Sequence, residues 1–556
     1  MKKQTRSDRR AHTPKYSESR REFMLKSGAA ISFSVLGSIY SPFGAEAAET
    51  TKNGGTLAMV VFPEPPTLAP YLSTAAPVGQ VATKVYEGLL EYDFELKPLP
   101  SLAKSWNVSP DGKTVTFQLQ EGVRFHDGKP FTSADVQHSI MEVLKKVHPR
   151  GTSTFREVEA IDTPDSHTAV LRLKNPAPYM FAALSGYESP MLPKHLLEGT
   201  DARTNPLANK PVGTGPFRFI EWRRGKYARL DKNPDYWRKG SPHVDRIVAT
   251  FIADAQTRSA AVERGEVDYA AFNAVSYADA SRMKQLPNIA ITTKGYEFIS
   301  PIVELEFNTT KKPFDNAKVR QAIAYAIDRK FIIDNIWFGF GKIATGPISS
   351  NFKASGLYTS DVKSYDVTNR LDIANRLLDA AGYKRGPDGK RFSMLHDVIP
   401  YGEEFRRLGE YVKSVLSQLG IEVSLRTEDV PTWLRRVYTN YDFDMTSNWI
   451  YTQADPVIGV QRQYWSKDIR PGTVFVNASR WSTPETDHLI EAAAIETDPK
   501  KRADLYHQFQ KLVVEASPII WVLESESVTV YRDKVKDATI SPLGPFSAFD
   551  RTWLSA

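Results

Sequence analysis

The sequence contains no cysteine. Disulfides, thiolate metal sites, cysteine nucleophiles and lipid anchors on cysteine are therefore excluded. Catalytic motifs are also missing, because no GxSxG elbow, HExxH pair or Walker A lysine loop occurs, and the glycines at 213 and 215 lack the third glycine of a dinucleotide fingerprint. The ten histidines include no pair four residues apart. We therefore expect no enzyme, no metal site and no cofactor.

Positive charge is scarce outside the first residues. The chain carries a formal charge of +7, but residues 1–47 hold nine basic and four acidic side chains, a surplus of five that leaves +2 for the rest. The body is nearly neutral, so the sequence pI of about 9.0 does not indicate a nucleic-acid partner.

The basic start has the layout of a secretory signal, which we assign to residues 1–47. A moderately apolar run at 28–40 follows the basic residues, and Ala45-Glu46-Ala47 offers a cleavage site. Arg20 and Arg21, within Ser-Arg-Arg-Glu-Phe-Met-Leu-Lys, resemble the twin-arginine export signal, with an ordinary Sec signal as the alternative. No later stretch has 18 consecutive apolar residues, so we expect a free periplasmic protein in a Gram-negative cell that does not span a membrane.

Strand and helix patterns alternate along the remaining chain. Val115, Phe117 and Leu119 alternate with polar residues and predict a half-buried strand. Thr132, with Asp135 three residues later, predicts a helix start. Further helices are predicted after residues 313–315, over 408–420 and from Asp498-Pro499, and strands from 421 and over 519–523. A helix between two strands is typical of a βαβ layer, so the fold class is α/β.

Several short motifs, in their order and spacing, resemble one protein family. They are Ala103-Lys104-Ser105-Trp106, Ser109-Pro110-Asp111-Gly112-Lys113, residues 122–132, Gly213-Thr214-Gly215-Pro216-Phe217, Asn233-Pro234-Asp235-Tyr236-Trp237, Asn308-Thr309, Pro313-Phe314-Asp315 and Val319-Arg320-Gln321-Ala322-Ile323. The chain resembles the solute-binding proteins of peptide, nickel and opine ABC importers, known as family 5, over nearly its whole mature length.

This resemblance implies a clamp of the periplasmic-binding-protein type II kind, with two lobes and an extra subdomain in the first. We expect lobe I over 48–303 with the inserted subdomain at about 89–211, lobe II over 304–524, and a return to lobe I over 525–556. Two crossing strands, near 303–307 and 522–526, would form the hinge. The ligand would bind between the lobes and be enclosed as they close.

The same resemblance directs attention to the charge partners of a dipeptide. Where relatives have Arg-Pro-Tyr, this chain has Ile399-Pro400-Tyr401, and where they place an aspartate three residues after a tryptophan, Trp449 is followed by Thr452. Asp455 either takes over the ligand's amino group or caps a turn. The predicted ligand-binding residues are Tyr401, Trp449, Tyr451, Thr452 and Asp455, with Arg462 and Gln463 nearby; the alternative is that Trp449 and Tyr451 are lobe core.

The resemblance implies a non-catalytic carrier that delivers a small solute to an inner-membrane ABC permease. Together with the signal over residues 1–47, it leads us to expect a periplasmic monomer that is exported by the twin-arginine machinery. Loss of both charge partners argues against a plain dipeptide and favours an opine, a modified amino acid or a glycoconjugate. An oligopeptide-binding protein is the alternative within the family, and an exported hydrolase on the same fold is the alternative outside it.

Overall fold

The computed structural model describes residues 51–555. Its strands are β1 Thr56–Val60, β2 Leu90–Tyr92, β3 Pro98–Pro100, β4 Ala103–Val108, β5 Thr114–Leu119, β6 Val158–Asp165, β7 Thr168–Leu173, β8 Phe217–Arg223, β9 Tyr227–Lys232, β10 Arg246–Thr250, β11 Tyr269–Ala270, β12 Ile289–Thr292, β13 Pro301–Phe307, β14 Gly341–Ile343, β15 Phe392–Val398, β16 Ile421–Thr427, β17 Met445–Tyr451, β18 Ile519–Ser525, β19 Thr529–Arg532, β20 Val535–Lys536 and β21 Trp553–Leu554. The predicted signal with Arg20 and Arg21 lies outside the described residues.

The α-helices are α1 Ala76–Ala82, α2 Ser133–Gln137, α3 Lys145–Val147, α4 Gly151–Thr154, α5 Lys194–Leu197, α6 Ala255–Arg264, α7 Tyr277–Met283, α8 Ala317–Ala326, α9 Arg329–Asn335, α10 Arg370–Ala380, α11 Glu403–Ser417, α12 Val430–Leu434, α13 Pro456–Gly459, α14 Pro484–Ile495 and α15 Pro499–Ala516. Within residues 51–555, no helix is long and apolar enough to cross a bilayer.

Three sheets organise these elements. The first sheet has seven strands in the order β12-β19-β11-β1-β10-β9-β8, and the second has six in the order β14-β18-β13-β17-β15-β16. The third sheet, β4-β5-β7-β6, lies within the stretch predicted as an inserted subdomain. One large apolar core surrounds the second sheet, and another is shared by the first and third sheets. We call the part that contains the first and third sheets the first half, and the part that contains the second sheet the second half.

Two short connections join the halves. The chain leaves the first sheet after β12 and enters the second at β13, and it returns between β18 and β19. Strands β13 and β18 are antiparallel neighbours, so both connections lie side by side. The lobe boundaries at 303 and 524 remain a prediction, and these pairings show where the chain passes from one sheet to the other.

Local sequence signals agree with the observed elements. Strand β5 is buried at alternate residues, as predicted. The backbone N–H of Thr132 donates to the Asp135 carboxylate at 2.8 Å, which confirms the predicted helix start. The βαβ prediction is confirmed, because β15 and β16 pair in parallel around α11. That helix begins at Glu403 and not at 408, since its buried face starts with Phe405 and two glutamates occupy its favourable first turn.

Candidate functional site

The end of β17 presents two aromatic side chains to the space between the halves. Trp449 pairs with Val303 and Tyr451 with Pro301 on β13. Side chains two residues apart in a strand share a face, so both rings lie on one side of the sheet. They are half-buried, whereas Ile450 between them points into the core.

Rings from the first half meet these two residues. Phe272 lies 6.0 Å from Trp449 and 6.3 Å from Tyr451 between ring centroids. Phe546 lies 5.7 Å from Phe272 and is stacked on Tyr187 at 4.4 Å. We call Tyr187, Phe272, Trp449, Tyr451 and Phe546 the aromatic wall. Such contacts are favourable beyond the area they bury, and here they join the two halves.

The backbone around Phe272 is held in an uncommon conformation. Phe272 has φ of 56° and Asn273 has φ of 57°, both in the left-handed region. Each such residue costs on the order of 1 kcal/mol. The strain is offset by hydrogen bonds, because the Phe272 N–H donates to the Tyr296 hydroxyl at 2.8 Å and the Asn273 side chain accepts from the Val528 N–H at 2.7 Å. The turn therefore fixes the Phe272 ring in the wall.

Gly79 in α1 makes room for the opposite end of the wall. A Cβ atom at this position would lie 2.6 Å from the Tyr187 ring and 2.9 Å from Phe546. The Tyr187 hydroxyl donates to the Thr74 carbonyl at 3.0 Å. The stacked pair thus depends on a residue without a side chain.

Tyr401 is the most exposed of the predicted ligand-binding residues, with 36% of its surface accessible. It follows β15, and its ring lies 6.1 Å from Trp433. Burial, followed by the nearby phenols of Tyr187 and Tyr401, raises the pKa of Tyr451 well above its usual value. The structure therefore places Tyr401 against Trp433 while leaving it open to solvent.

Thr452 is buried, and its polar groups are used inside the protein. Its hydroxyl donates to the Ser300 carbonyl at 2.9 Å, and its N–H donates to the same oxygen at 3.3 Å. These bonds tie the end of β17 to the start of β13. The side chain three residues after Trp449 therefore holds the connection between the halves.

Asp455 is engaged by two groups of the protein. Its Oδ1 accepts from the Val457 N–H at 2.9 Å, as the N-cap of α13. Arg502, from α15, donates to both carboxylate oxygens at 2.8 and 2.9 Å. Burial alone would lower the pKa of Arg502, but the negative charge of Asp455 raises this pKa above its usual value. Of the two roles that the sequence left open, the capping role is the one seen in the structure.

Several buried polar atoms close to these residues have no hydrogen-bond partner among residues 51–555. They are Nε1 of Trp449, both side-chain amide atoms of Gln453 and Oε1 of Gln461. Buried polar groups are satisfied in the great majority of cases. Four such atoms lie within residues 449–461, where they are available to water or to a ligand.

A cavity of about 130 Å³ lies next to the segment and is bounded by both halves. Residues around 149–156 and Tyr179 contribute from the first half, and residues 457–476 from the second. Arg462, which neighbours the predicted residues in sequence, lines this cavity. Gln463 instead points to the core, where its Nε2 donates to Glu304 at 2.6 Å.

The candidate site contains residues that sequence patterns did not reveal. Tyr187, Phe272 and Phe546 come from distant parts of the chain, and Arg150 enters the cavity from the first half. No local pattern marks them, because their proximity to Trp449 depends on the fold. Among residues 51–555, no group of three or more histidine and carboxylate side chains is arranged to hold a metal ion.

Known proteins resemble this chain over most of its length. Residues 97–470 match the family described as "Bacterial extracellular solute-binding proteins, family 5 Middle". Heme-binding protein A of Haemophilus influenzae is 28% identical over 495 residues, covering 84% of this chain and 86% of that protein. Di/tripeptide-binding protein 1 of Pseudomonas aeruginosa is 27% identical over 501 residues, covering 86% and 90%.

A solved structure shows that the fold is shared as well as the sequence. The PBP AgaA from A. tumefacien R10, in complex with agropinic acid, has a TM-score of 0.73 and is 27% identical, covering 90% of this chain and 99% of that one. The residues matched by the family include β17, α13 and Arg462. The aromatic wall and the cavity therefore lie largely within the shared part of the chain.

Proposed function

Because the chain belongs to the bacterial extracellular solute-binding proteins of family 5, and is thus the substrate-binding component of an ABC importer, we propose that the aromatic wall and the adjoining cavity are its ligand site. Its two halves are the two lobes of that family's clamp. The family consists of solute-binding proteins, and we propose that this member is likewise a non-catalytic carrier that hands its solute to a membrane permease.

One observation carries this proposal: rings from both lobes meet at the end of β17, where a buried donor has no partner among residues 51–555. The Trp449 Nε1 donor belongs to the wall itself. A ligand with polar groups and flat or apolar surfaces would satisfy such a site. It would also add contacts between the lobes, so its binding would favour the closed clamp.

A plain dipeptide does not fit the charges of this region. Thr452 donates its hydroxyl to Ser300, and no arginine precedes Pro400. Asp455 is neutralised by Arg502. The ammonium of a dipeptide, buried without a partner, would cost several kcal/mol.

We favour an opine, a modified amino acid or a glycoconjugate as the solute. The likeness to AgaA, whose solved complex contains agropinic acid, supports this class. An oligopeptide is the second candidate, supported by the likeness to a di/tripeptide-binding protein. Rings with a few polar atoms suit both classes, and a titration distinguishes them.

The experiment is a calorimetric titration of the unliganded protein with agropinic acid, trialanine and Met-Leu, with mass spectrometry of each mixture over time. We expect Met-Leu to bind at least tenfold more weakly than one of the other two compounds, and no compound to be converted. Tight binding of Met-Leu would contradict the ligand assignment. Accumulation of a hydrolysis product would contradict the carrier function and favour the hydrolase.

We further propose export to the periplasm by the twin-arginine route, and function there as a monomer. The support is the basic start, with Arg20 and Arg21 ahead of the apolar run. The double substitution Arg20→Lys with Arg21→Lys keeps the charge and should retain the precursor in the cytoplasm, as seen by cell fractionation. Lys2→Arg with Lys3→Arg is the matched control, and normal periplasmic yield of the first variant would contradict this route.

A further inference from the structure

The cavity beside the aromatic wall is lined by four arginines. Arg150 and Arg156 come from the first lobe, and Arg462 and Arg470 from the second. Arg150 adjoins the wall, because its guanidinium donates to the carboxylate of Glu188, the residue that follows Tyr187. The cavity and the wall are therefore neighbouring parts of one cleft.

Three of these arginines have carboxylate partners. Arg150 donates through Nε to Glu188 at 2.9 Å. Arg156 lies 3.1 Å from Glu157, and Arg470 lies 2.7 Å from Asp468. Each of these charges is balanced within the protein.

Arg462 has no such partner. Its Nε donates to the Gly459 carbonyl at 3.0 Å, and no carboxylate of residues 51–555 lies within 4 Å of its guanidinium. Burial, with a smaller effect of Arg150, lowers the pKa of Arg462 to about 10, so the side chain is still charged at neutral pH. A half-buried guanidinium that lacks a counter-charge is unfavourable unless something else supplies one.

Glu304 and Asp468 are the nearby carboxyls that interact with Arg462 electrostatically, and Asp468 is already paired with Arg470. Burial raises the pKa of Glu304 to about 8, against the opposing effects of Gln463 and Arg462. At neutral pH this carboxyl is therefore mostly protonated and does not balance the charge. The cavity keeps one uncompensated positive charge, which matches a ligand group with one negative charge.

Gln461 adds a second requirement at the same cavity. Its Oε1 is buried and accepts no hydrogen bond from residues 51–555. An acceptor beside a free guanidinium suits a group that carries both a negative charge and a neighbouring N–H or O–H donor. Carboxylates next to an amide or a hydroxyl have this combination.

We propose that Arg462 binds a carboxylate of the solute, and that Gln461 accepts a hydrogen bond from an N–H or O–H next to it. This inference rests on the proposed function and specifies the substrate class: the solute carries one carboxylate in the part that meets Arg462. Residues 399–401 contain no arginine that could pair with the carboxylate of the solute. Arg462, which lines the cavity, takes this role instead.

The test uses the small-molecule fraction that mild denaturation releases from the wild-type protein. One half is converted to methyl esters, and both halves are titrated into refolded wild-type protein, Arg462→Met, Arg462→Lys and the exposed control Arg435→Met. We expect esterification to weaken binding to wild type and to Arg435→Met at least tenfold. Arg462→Met should bind the acid at least tenfold more weakly than wild type and no longer distinguish the two forms, while Arg462→Lys should keep a preference for the acid.

Melting curves of the unliganded variants show whether each one is folded. Esters that bind wild type as well as the acids do, or folded Arg462→Met that binds the acid like wild type, would overturn the inference and leave the proposed function intact. Wild-type protein that releases no molecule able to bind back would overturn the proposed function and the inference together.

Discussion

Arg502 and Arg462 lie in the same lobe and close to the same short segment, yet they differ in what surrounds them. Arg502 donates to both oxygens of Asp455 and to the Ala493 carbonyl, so its charge is balanced. Arg462 donates only to a carbonyl among the described residues and lines the cleft cavity. The first pair fixes α13 against α15, whereas the second arginine retains free donors. The paired charge of Arg502 stabilises the structure around the site, whereas the unpaired charge of Arg462 is available to a ligand.

The largest effect is expected when the balanced pair is broken. Asp455→Ala leaves the Arg502 guanidinium buried without a counter-charge and removes the cap of α13, so the free energy of unfolding should fall by about 3 to 5 kcal/mol. Urea unfolding measures this change. Where the variant remains folded, its affinity for the released ligand fraction should stay within threefold of wild type.

The double variant Asp455→Leu with Arg502→Met separates charge from packing. It should recover most of the lost stability, because no buried charge is left alone. A large loss of affinity with unchanged stability in Asp455→Ala would mean that Asp455 contacts ligand, which would remove the contrast between the two arginines.

A second effect concerns the proton on Glu304. Its pKa is about 8 in the folded protein and near 4.5 when unfolded, so the folded state keeps a proton that the unfolded chain loses. Its contribution to stability therefore decreases as pH rises from 4.5 to 8, by about 1.4 kcal/mol per pH unit at most. Glu304→Gln removes this contribution and should be more stable than wild type at pH 8, with little difference at pH 4.5.

Glu306 is the neighbouring buried carboxyl, and burial raises its pKa to about 7. Glu306→Gln is therefore the matched control for the pH dependence of the free energy of unfolding. Each substitution should remove part of the slope, measured as urea unfolding at several pH values. Equal loss of stability for Glu304→Gln at every pH would indicate that Glu304 is ionised and balances Arg462.

A third, smaller effect concerns Trp449. Trp449→Ala should weaken binding more than tenfold, or by more than about 1.4 kcal/mol, because it removes a ring of the wall and a buried donor that has no partner among residues 51–555. Trp449→Phe keeps a ring and loses the donor, so a loss of roughly threefold is expected. Calorimetry checks both values.

Trp222→Ala, on the edge strand of the first sheet, is the control for a half-buried tryptophan elsewhere. Unchanged affinity in both Trp449 variants would mean that this ring belongs to the lobe core, which was the alternative suggested by the sequence.

Local chemistry accounts for what the sequence predicted well. The cap at Thr132, the alternation in β5 and the proline-initiated helix α15 each depend on residues a few positions apart, and all three are confirmed. Helix boundaries were less certain, as the start of α11 shows. The family was recognisable because its turn and crossing motifs keep a fixed order along the chain.

The residues of the cleft were only partly predictable. Asp455 had two roles open because its partner Arg502 lies 47 residues away on another helix. Phe272 and Phe546 are separated from Trp449 by long stretches of chain, so no spacing rule connects them. The unbalanced charge of Arg462 could be identified only after the positions of Glu188, Glu157 and Asp468 were known beside the other arginines.

We propose that this clamp closes on a small solute through an aromatic wall and an unpaired arginine. Native mass spectrometry of protein purified without added ligand tests it most directly, with the bound molecule released and fragmented. We expect one small organic molecule per chain that gains a methyl group on esterification and is not a dipeptide. A dipeptide, or a molecule without a carboxylate, would contradict it.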